Sequence, residues 1–184
     1  IAMIILVLAW SMSEISRELH TADFLIASLG DSLPAAALPA VIFVLAAFTA
    51  FSTGSSWGAM GILLPLVLPL CWAIMGMEGM TAGEDYFVLY SSVAGVLAGA
   101  VWGDHCSPIS DTTVMSSLSA GCDHIEHVRT QLPYALLAGA AALGAGTLPT
   151  SFGLPWWLGM LAAAAVTVVG LRLLGESVED YRPE

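Results

Sequence analysis

VWGDHCSPISDTTVMSS, Val101 to Ser117, comes directly after a run from Tyr86 to Ala100 that is apolar enough to live in lipid. Its 17 residues hold two aspartates, a histidine, a proline, four serines and two threonines. A charged residue at membrane depth costs roughly 2.5–3.5 kcal/mol even on a lenient insertion scale. Two aspartates set against a membrane-length run therefore imply a function that offsets the cost.

The rest of the 184-residue chain supports a membrane reading. Hydrophobic residues make up 58% of it and charged residues only 10%, against about 25% charged in soluble domains. About 20 apolar residues cross a bilayer. The candidate spans are Ile1–Met12, Leu33–Phe51, Ile62–Met77, Tyr86–Val101, Leu132–Leu148 and Leu154–Leu174. Thr21–Leu29 is apolar but short, which suits an interfacial or half-buried helix. No segment of barrel-strand length alternates, so the spans are expected to be helices. The expected fold is all-α: a polytopic helical membrane protein with interrupted or re-entrant helices. Residues 1–175 form the membrane unit, and 176–184 (ESVEDYRPE) an acidic cytoplasmic tail.

Four arginines, no lysine and fifteen acids give a net charge of -11. A chain so poor in basic residues carries no electrostatic footprint for nucleic acid. Cys71, Cys106 and Cys122 are too few and too irregular for a disulfide framework, and Cys71 reads as a small apolar filler. No basic stretch precedes the apolar Ala2–Trp10, so it does not read as a signal peptide. The first residue, Ile1, falls inside an apolar run, which suggests the C-terminal piece of a longer polypeptide. An even number of spans separates Arg129 from Arg172 and Arg182, putting all three on the cytoplasmic side by the positive-inside rule. The acidic loop Gly76–Asp85 then falls outside. Arg17 falls outside by the same count, against the rule.

Small residues recur every four positions at Gly95, Gly99 and Gly103, and again at Gly54 and Gly58. Such rows let helix backbones approach closely. Trp156 and Trp157 suit interface anchors.

Two polar stretches interrupt the apolar pattern: FSTGSSWGAMG, Phe51 to Gly61, and the opening quotation. Non-helical backbone at membrane depth is tolerated where it lines a cavity, and there broken helix ends face an ion or substrate. Gly54, Gly58, Gly103 and Pro108 are the candidate helix breakers. Pro108 lacks an N–H and disfavours helix at Ser107, so Asp104 and Asp111 are expected to flank a break and converge. Ser107, Ser110, Thr112 and Thr113 surround them with neutral oxygens, and Thr53, Ser55 and Ser56 offer more from the other stretch. Dehydrated Na+ is a hard cation that needs several oxygens and one or two carboxylates. Desolvation also helps a carboxylate hold a proton, so Na+ and H+ would compete at Asp104 and Asp111, with Asp111 the first candidate. As helix caps, Ser110 and Asp111 would instead start a helix over Thr112–Leu118.

GDHCSPISDTT at Gly103–Thr113, followed by CDHIEHVRTQLPYA at Cys122–Ala135, resembles the signature of the NhaC-type sodium/proton antiporter family. TGSSWGAMGILLPL at Thr53–Leu66 resembles that family's other strong block, with weaker likeness in Leu8–Trp10 and Thr21–Asp23. The resemblance runs from Ile1 to about Leu148. It implies a secondary transporter of the ion-transporter superfamily built from two inverted repeats. This chain would supply the second repeat, and the missing N-terminal repeat of the same polypeptide would be its partner, in the cell membrane with the C-terminus cytoplasmic. It points to Asp104, Ser107, Asp111, Thr112, Thr53, Ser55 and Ser56 as site residues. Na+ and H+ are then transported species and no cofactor is implied; a homodimer is compatible with this reading. Relatives also exchange organic acids or amines together with cations, so a co-exchanged solute is the alternative.

Two other chemistries fit parts of the pattern. GSSWG, Gly54 to Gly58, matches the nucleophile elbow with Ser56 as nucleophile and His105 as base, but that motif needs a strand before the serine. His105, Cys106, Cys122, Asp123, His124 and His127 would suit zinc by ligand type, without a compact pair to anchor the metal. The plainer reading makes His124, Glu126, His127 and Arg129 a polar linker. His105, His124 and His127 are candidate pH sensors, with a reference pKa of about 6.5.

Overall fold

The computed structural model describes residues 33–80 and 82–175, with scattered positions before residue 33. The Ile1–Met12 span, the Thr21–Leu29 helix, Arg17 and the tail lie wholly or mostly outside the described residues. Among the described residues there is helix and no strand, as expected of an all-α polytopic membrane protein. Five helices among the described residues are long and apolar enough to cross a bilayer: Ala35–Thr53, Ser56–Met77, Gly83–Cys106, His124–Ser151 and Trp156–Leu174.

A single tight turn at Ala35–Ala37 leads into α1 (Leu38–Thr53). Gly54 ends α1 in the left-handed region at φ 65°, a conformation that costs a residue with a Cβ roughly 1–2 kcal/mol. The next residue, Ser55, starts α2 (Ser56–Met77) by accepting a bond from the Gly58 N–H at 3.2 Å. α1 and α2 therefore form an antiparallel hairpin. Glu78, just past the end of α2, accepts a bond from the Ala35 N–H at 2.8 Å, which pins the open end of that hairpin.

α3 (Tyr86–Cys106) runs parallel to α1. Leu38 and Ile42 of α1 share a core with Leu70, Cys71 and Ile74 of α2 and with Val88 and Val96 of α3. Gly95, Gly99 and Gly103 of α3 lie against the carbonyls of Pro39, Phe43 and Ala47 in turn. A Cβ on Gly95 would come within 2.8 Å of the Pro39 oxygen, and one on Gly99 or Gly103 would come closer still to its own carbonyl. The glycine row is thus a packing seam that brings two backbones together. Cys71 is fully buried, as an apolar filler would be, and its thiol lies 3.4 Å from Ser92 Oγ.

After a four-residue break, α4 (Asp111–Ala120) runs to Gly121, another left-handed glycine at φ 64°. Asp123 then caps α5 (His124–Ala141), accepting from the N–H groups of Ile125 and Glu126 at 2.9 and 3.1 Å. α5 continues through a π-helical turn at Ala142–Thr147 and a last turn at Leu148–Ser151. Pro149 accounts for the widening: it lacks an N–H and its ring crowds the carbonyl of Ala145. α5 lies antiparallel on α3, where the Trp102 indole donates to the Ala135 carbonyl at 2.6 Å and packs against Gly139. α6 (Trp156–Leu174) folds back along α5, Gly159 facing Gly146 and Gly170 facing Leu137. Its opening Trp156 and Trp157 are exposed.

Three sequence expectations need correction. The spans extend beyond their apolar cores because hydroxyls there bond back onto their own helix: Thr53 to Thr49 O at 2.9 Å, Thr130 to Glu126 O at 2.8 Å. Gly58 and Gly103 are not breakers, since Gly58 sits in the first turn of α2 and Gly103 inside α3. The segment from His124 to Arg129 is no linker but the first turns of α5.

This packing puts the Gly54–Ser55 turn, the α3–α4 break, Arg129 and Arg172 at one end of the bundle. Glu78, Glu84 and Asp85 lie at the other. Single cysteines at Glu84 and at Arg129, each in a Cys122→Ser background, are therefore expected to react with an impermeant thiol reagent from opposite sides of the membrane. Labelling from the same side would contradict the packing order.

Candidate functional site

Four helix ends meet where the two polar stretches cross: the C-termini of α1 and α3 and the N-termini of α2 and α4. The gaps are short. The first is Gly54–Ser55 and the second Ser107–Ser110, with Ser107 extended at φ -76°, ψ 129° ahead of Pro108. The two turns touch, because a Cβ on Gly54 would lie 2.9 Å from the Ile109 carbonyl oxygen. Ser107, fully buried, donates to the Phe51 carbonyl at 2.7 Å and so ties the α3 break to the end of α1.

Asp104 occupies the last turn of α3 at 7% exposure. Its Oδ2 accepts a 3.3 Å bond from Ser56 Oγ, on the first residue of α2. Its Oδ1 is buried and has no hydrogen-bond partner among the described residues. Leaving a buried polar group unsatisfied costs about 1–3 kcal/mol, and more for a charge. The positive end of α2 offsets part of that cost, since a carboxylate beside a helix N-terminus is favoured. A bound cation or proton on Oδ1 would remove the remainder.

The other sequence candidates divide clearly. Ser110 is the α4 cap: its buried Oγ accepts from the Thr112 N–H at 3.2 Å and lies 2.8 Å from Thr112 Oγ1. Asp111 does not cap; it is exposed in the first turn of α4, and no hydrogen bond joins it to Asp104. The two aspartates flank the break, yet only Asp104 is buried with the hydroxyls. Thr113 is buried and its hydroxyl reaches the His105 carbonyl at 3.5 Å. Thr53 is exposed, its hydroxyl bonded back along α1, and Ser55 is committed to capping α2.

The competing chemistries lack their geometry. Ser56 follows a helix and a turn, not a strand; it donates to Asp104, and no bond links it to the exposed His105. Among the described residues no group of three His, Cys, Asp or Glu could hold a metal ion. His127 Nε2 is buried without a partner among the described residues. Sequence reading missed the contacts from α5 onto the break. Gln131 donates to the His105 carbonyl, and His124 reaches both Pro108 O and Ser117 Oγ. No local signal marks them, because they join residues 7 to 26 positions apart.

Residues 1–148 match the Na+/H+ antiporter family. The chain belongs to this family. Membership in an antiporter family places it among transporters rather than enzymes, and in the membrane as a multi-pass protein. An uncharacterized protein of Haemophilus influenzae is 40% identical over 168 residues, 91% of this chain and 30% of that protein. An uncharacterized Na(+)/H(+) antiporter of the same organism is 35% identical over 51% of this chain and 19% of its own length. A malate-2H(+)/Na(+)-lactate antiporter of Bacillus subtilis is 32% identical over 48% of this chain and 17% of its own. The chain thus spans less than a third of the length of these relatives. No solved structure matches it.

Proposed function

We propose that this chain is the C-terminal repeat of an NhaC-type secondary transporter that exchanges sodium ions for protons. Residues 1–175 form the membrane repeat and 176–184 an acidic tail. The observation that carries the reading is Asp104, a buried carboxylate whose Oδ1 lacks a partner at the crossing of two helix breaks. One carboxylate oxygen held by Ser56 and one open oxygen suit either a hard cation or a proton, and the two exclude each other. Ser56 gives the carboxylate one neutral oxygen, Ser107 ties the adjoining break to α1, and Asp111 lies exposed in the first turn of α4. Competition at one carboxylate couples the two fluxes, and movement of one bundle against another exposes the site to each side in turn. The end carrying Arg129 and Arg172 is cytoplasmic under the positive-inside rule.

Full-length protein in vesicles is expected to move protons when a sodium gradient is imposed, with the sodium KM rising as pH falls. Proton movement that ignores sodium would overturn the reading. Movement that requires malate or lactate as well would shift it to the solute-coupled exchange named for the Bacillus subtilis relative.

Ser56→Ala removes a hydroxyl that donates to Asp104 but leaves the charge balance intact. Loss of one hydrogen bond to a charged group is worth about 1.5–3 kcal/mol. The sodium KM is expected to change by roughly tenfold or more with folding unaffected, as measured by initial exchange rates. An unchanged KM would remove Ser56 from the site.

A further inference from the structure

The α3–α4 break leaves the last carbonyls of α3 without their ordinary partners. In a continuing helix, Asp104 O and His105 O would be closed by the N–H groups four residues on, at Pro108 and Ile109. Pro108 has no N–H, and that of Ile109 bonds to Ser107 Oγ at 3.4 Å. Asp104 O is taken by the Ser107 N–H at 3.0 Å. His105 O is closed from another helix. Gln131 Nε2 of α5 donates to it, with Thr113 Oγ1 at a marginal 3.5 Å.

Gln131 is one half of a clasp. One turn further along α5, the Ala135 carbonyl accepts from the Trp102 indole at 2.6 Å, and Gly139 makes room for the ring. Trp102 also stacks on Phe43 of α1, the ring centroids 5.7 Å apart. α3 and α5 are thus joined by two bonds of opposite sense, Trp102 donating and His105 accepting. Asp104 lies between them in the chain. Among the described residues, loss of the Gln131 bond leaves α3 and α5 hydrogen-bonded only at Trp102, ahead of Asp104 and not beyond it.

The two species that compete for Asp104 depend on that hold to different degrees. A proton needs one carboxylate oxygen. A dehydrated hard cation needs several oxygens at set distances, so a small displacement of the carboxylate weakens cation binding more than protonation. The Gln131 amide is neutral at every pH. It fixes the turn without adding a charge or an exchangeable proton to the site.

We propose that Gln131 is a positioning residue for Asp104. By closing the His105 carbonyl it seats the last turn of α3 for the cation, and it bears on cation binding rather than on proton binding. The inference rests on the exchange reading above.

The test separates the two species. In vesicles carrying full-length protein, the sodium KM is measured from pH 6 upward until it stops depending on pH. On that plateau protons no longer compete, so the KM reports the cation alone. The pH at which the KM has doubled reports the proton on Asp104. Gln131→Met keeps the length of the side chain and removes the donor. It is expected to raise the plateau KM roughly threefold to tenfold, as loss of one neutral hydrogen bond does, with the doubling pH as in the parent. Gln131→His offers a ring N–H at similar reach and is neutral on the plateau, so it should bring the KM back toward the parent's. An unchanged plateau in Gln131→Met would overturn the proposal. So would a doubling pH that moves with the plateau, because the bond would then act on the charge of Asp104 and not on its place. A histidine variant no better than the methionine one would overturn it as well. If Gln131→Met does not fold, Gln131→Asn replaces it, since its amide keeps the polarity but stops one methylene short of the carbonyl. A parent-like plateau there is again fatal. Asp104→Asn keeps the two readings apart: loss of exchange there beside parent-like Gln131 variants sinks only the role of Gln131, whereas retained exchange sinks the site itself.

Discussion

Asp104→Asn is expected to abolish sodium-dependent proton exchange while leaving a folded, membrane-inserted protein. Asparagine keeps the size of the side chain and can still accept from Ser56 Oγ. It loses the negative charge and the exchangeable proton, and in this reading those two properties are the coupling itself. Removing one partner from a buried charge pair costs about 3–5 kcal/mol, which is more than a hundredfold in sodium affinity. Exchange in vesicles should therefore fall to the level of protein-free controls, and sodium-dependent changes in tryptophan fluorescence should vanish with it. Asp111→Asn is the informative comparison. Asp111 is exposed in the first turn of α4, where its charge favours the helix end by about 0.3–1 kcal/mol. Its loss should cost less than roughly tenfold. The opposite ranking of the two variants would move the site out of the crossing and to the first turn of α4.

That ranking also marks where sequence reasoning stops. Pro108 and the hydroxyl-rich residues around it announce a break, and the break is there. What the sequence does not carry is the register of that break against its neighbours. Asp111 follows the proline and looks the better ligand, but Ser110 takes the cap and turns Asp111 outward. Asp104 is buried because Ser56 arrives from a hairpin 48 residues earlier, a contact with no local signature. The five described spans were legible because length and apolarity decide them. Their ends were not, since Thr53 and Thr130 satisfy their hydroxyls within the helix and cost it nothing as interruptions. Gly103 was misread for a related reason. A glycine in a polar stretch suits a break and a close approach equally well, and only the neighbouring helix tells them apart.

That close approach supplies the other large effect. Gly103 sits where α3 presses on the backbone of α1, and an added Cβ would meet Ala47 at its carbonyl oxygen, carbonyl carbon and Cα. All three are backbone atoms, so no rotamer change relieves the collision and the helices must separate. Overpacking of this kind costs about 1–3 kcal/mol and occasionally more, and backbone-on-backbone contact puts Gly103→Ala at or above the top of that range. The consequence reaches the site, because Asp104 is the next residue and Ser107 bonds to Phe51 O on the helix being pushed away. Gly103→Ala is therefore expected to lower the thermal unfolding midpoint of the detergent-solubilised protein by several degrees and to remove exchange in the fraction that still folds. Gly76→Ala makes the control, since that glycine lies in the last turn of α2 with nothing within 4 Å of the added Cβ. Alanine there should be neutral or stabilising by up to about 1 kcal/mol, the ordinary helix preference over glycine. Equal midpoints for the two variants would mean that α1 and α3 are not in backbone contact, and the seating of Asp104 would then have to be explained without that seam.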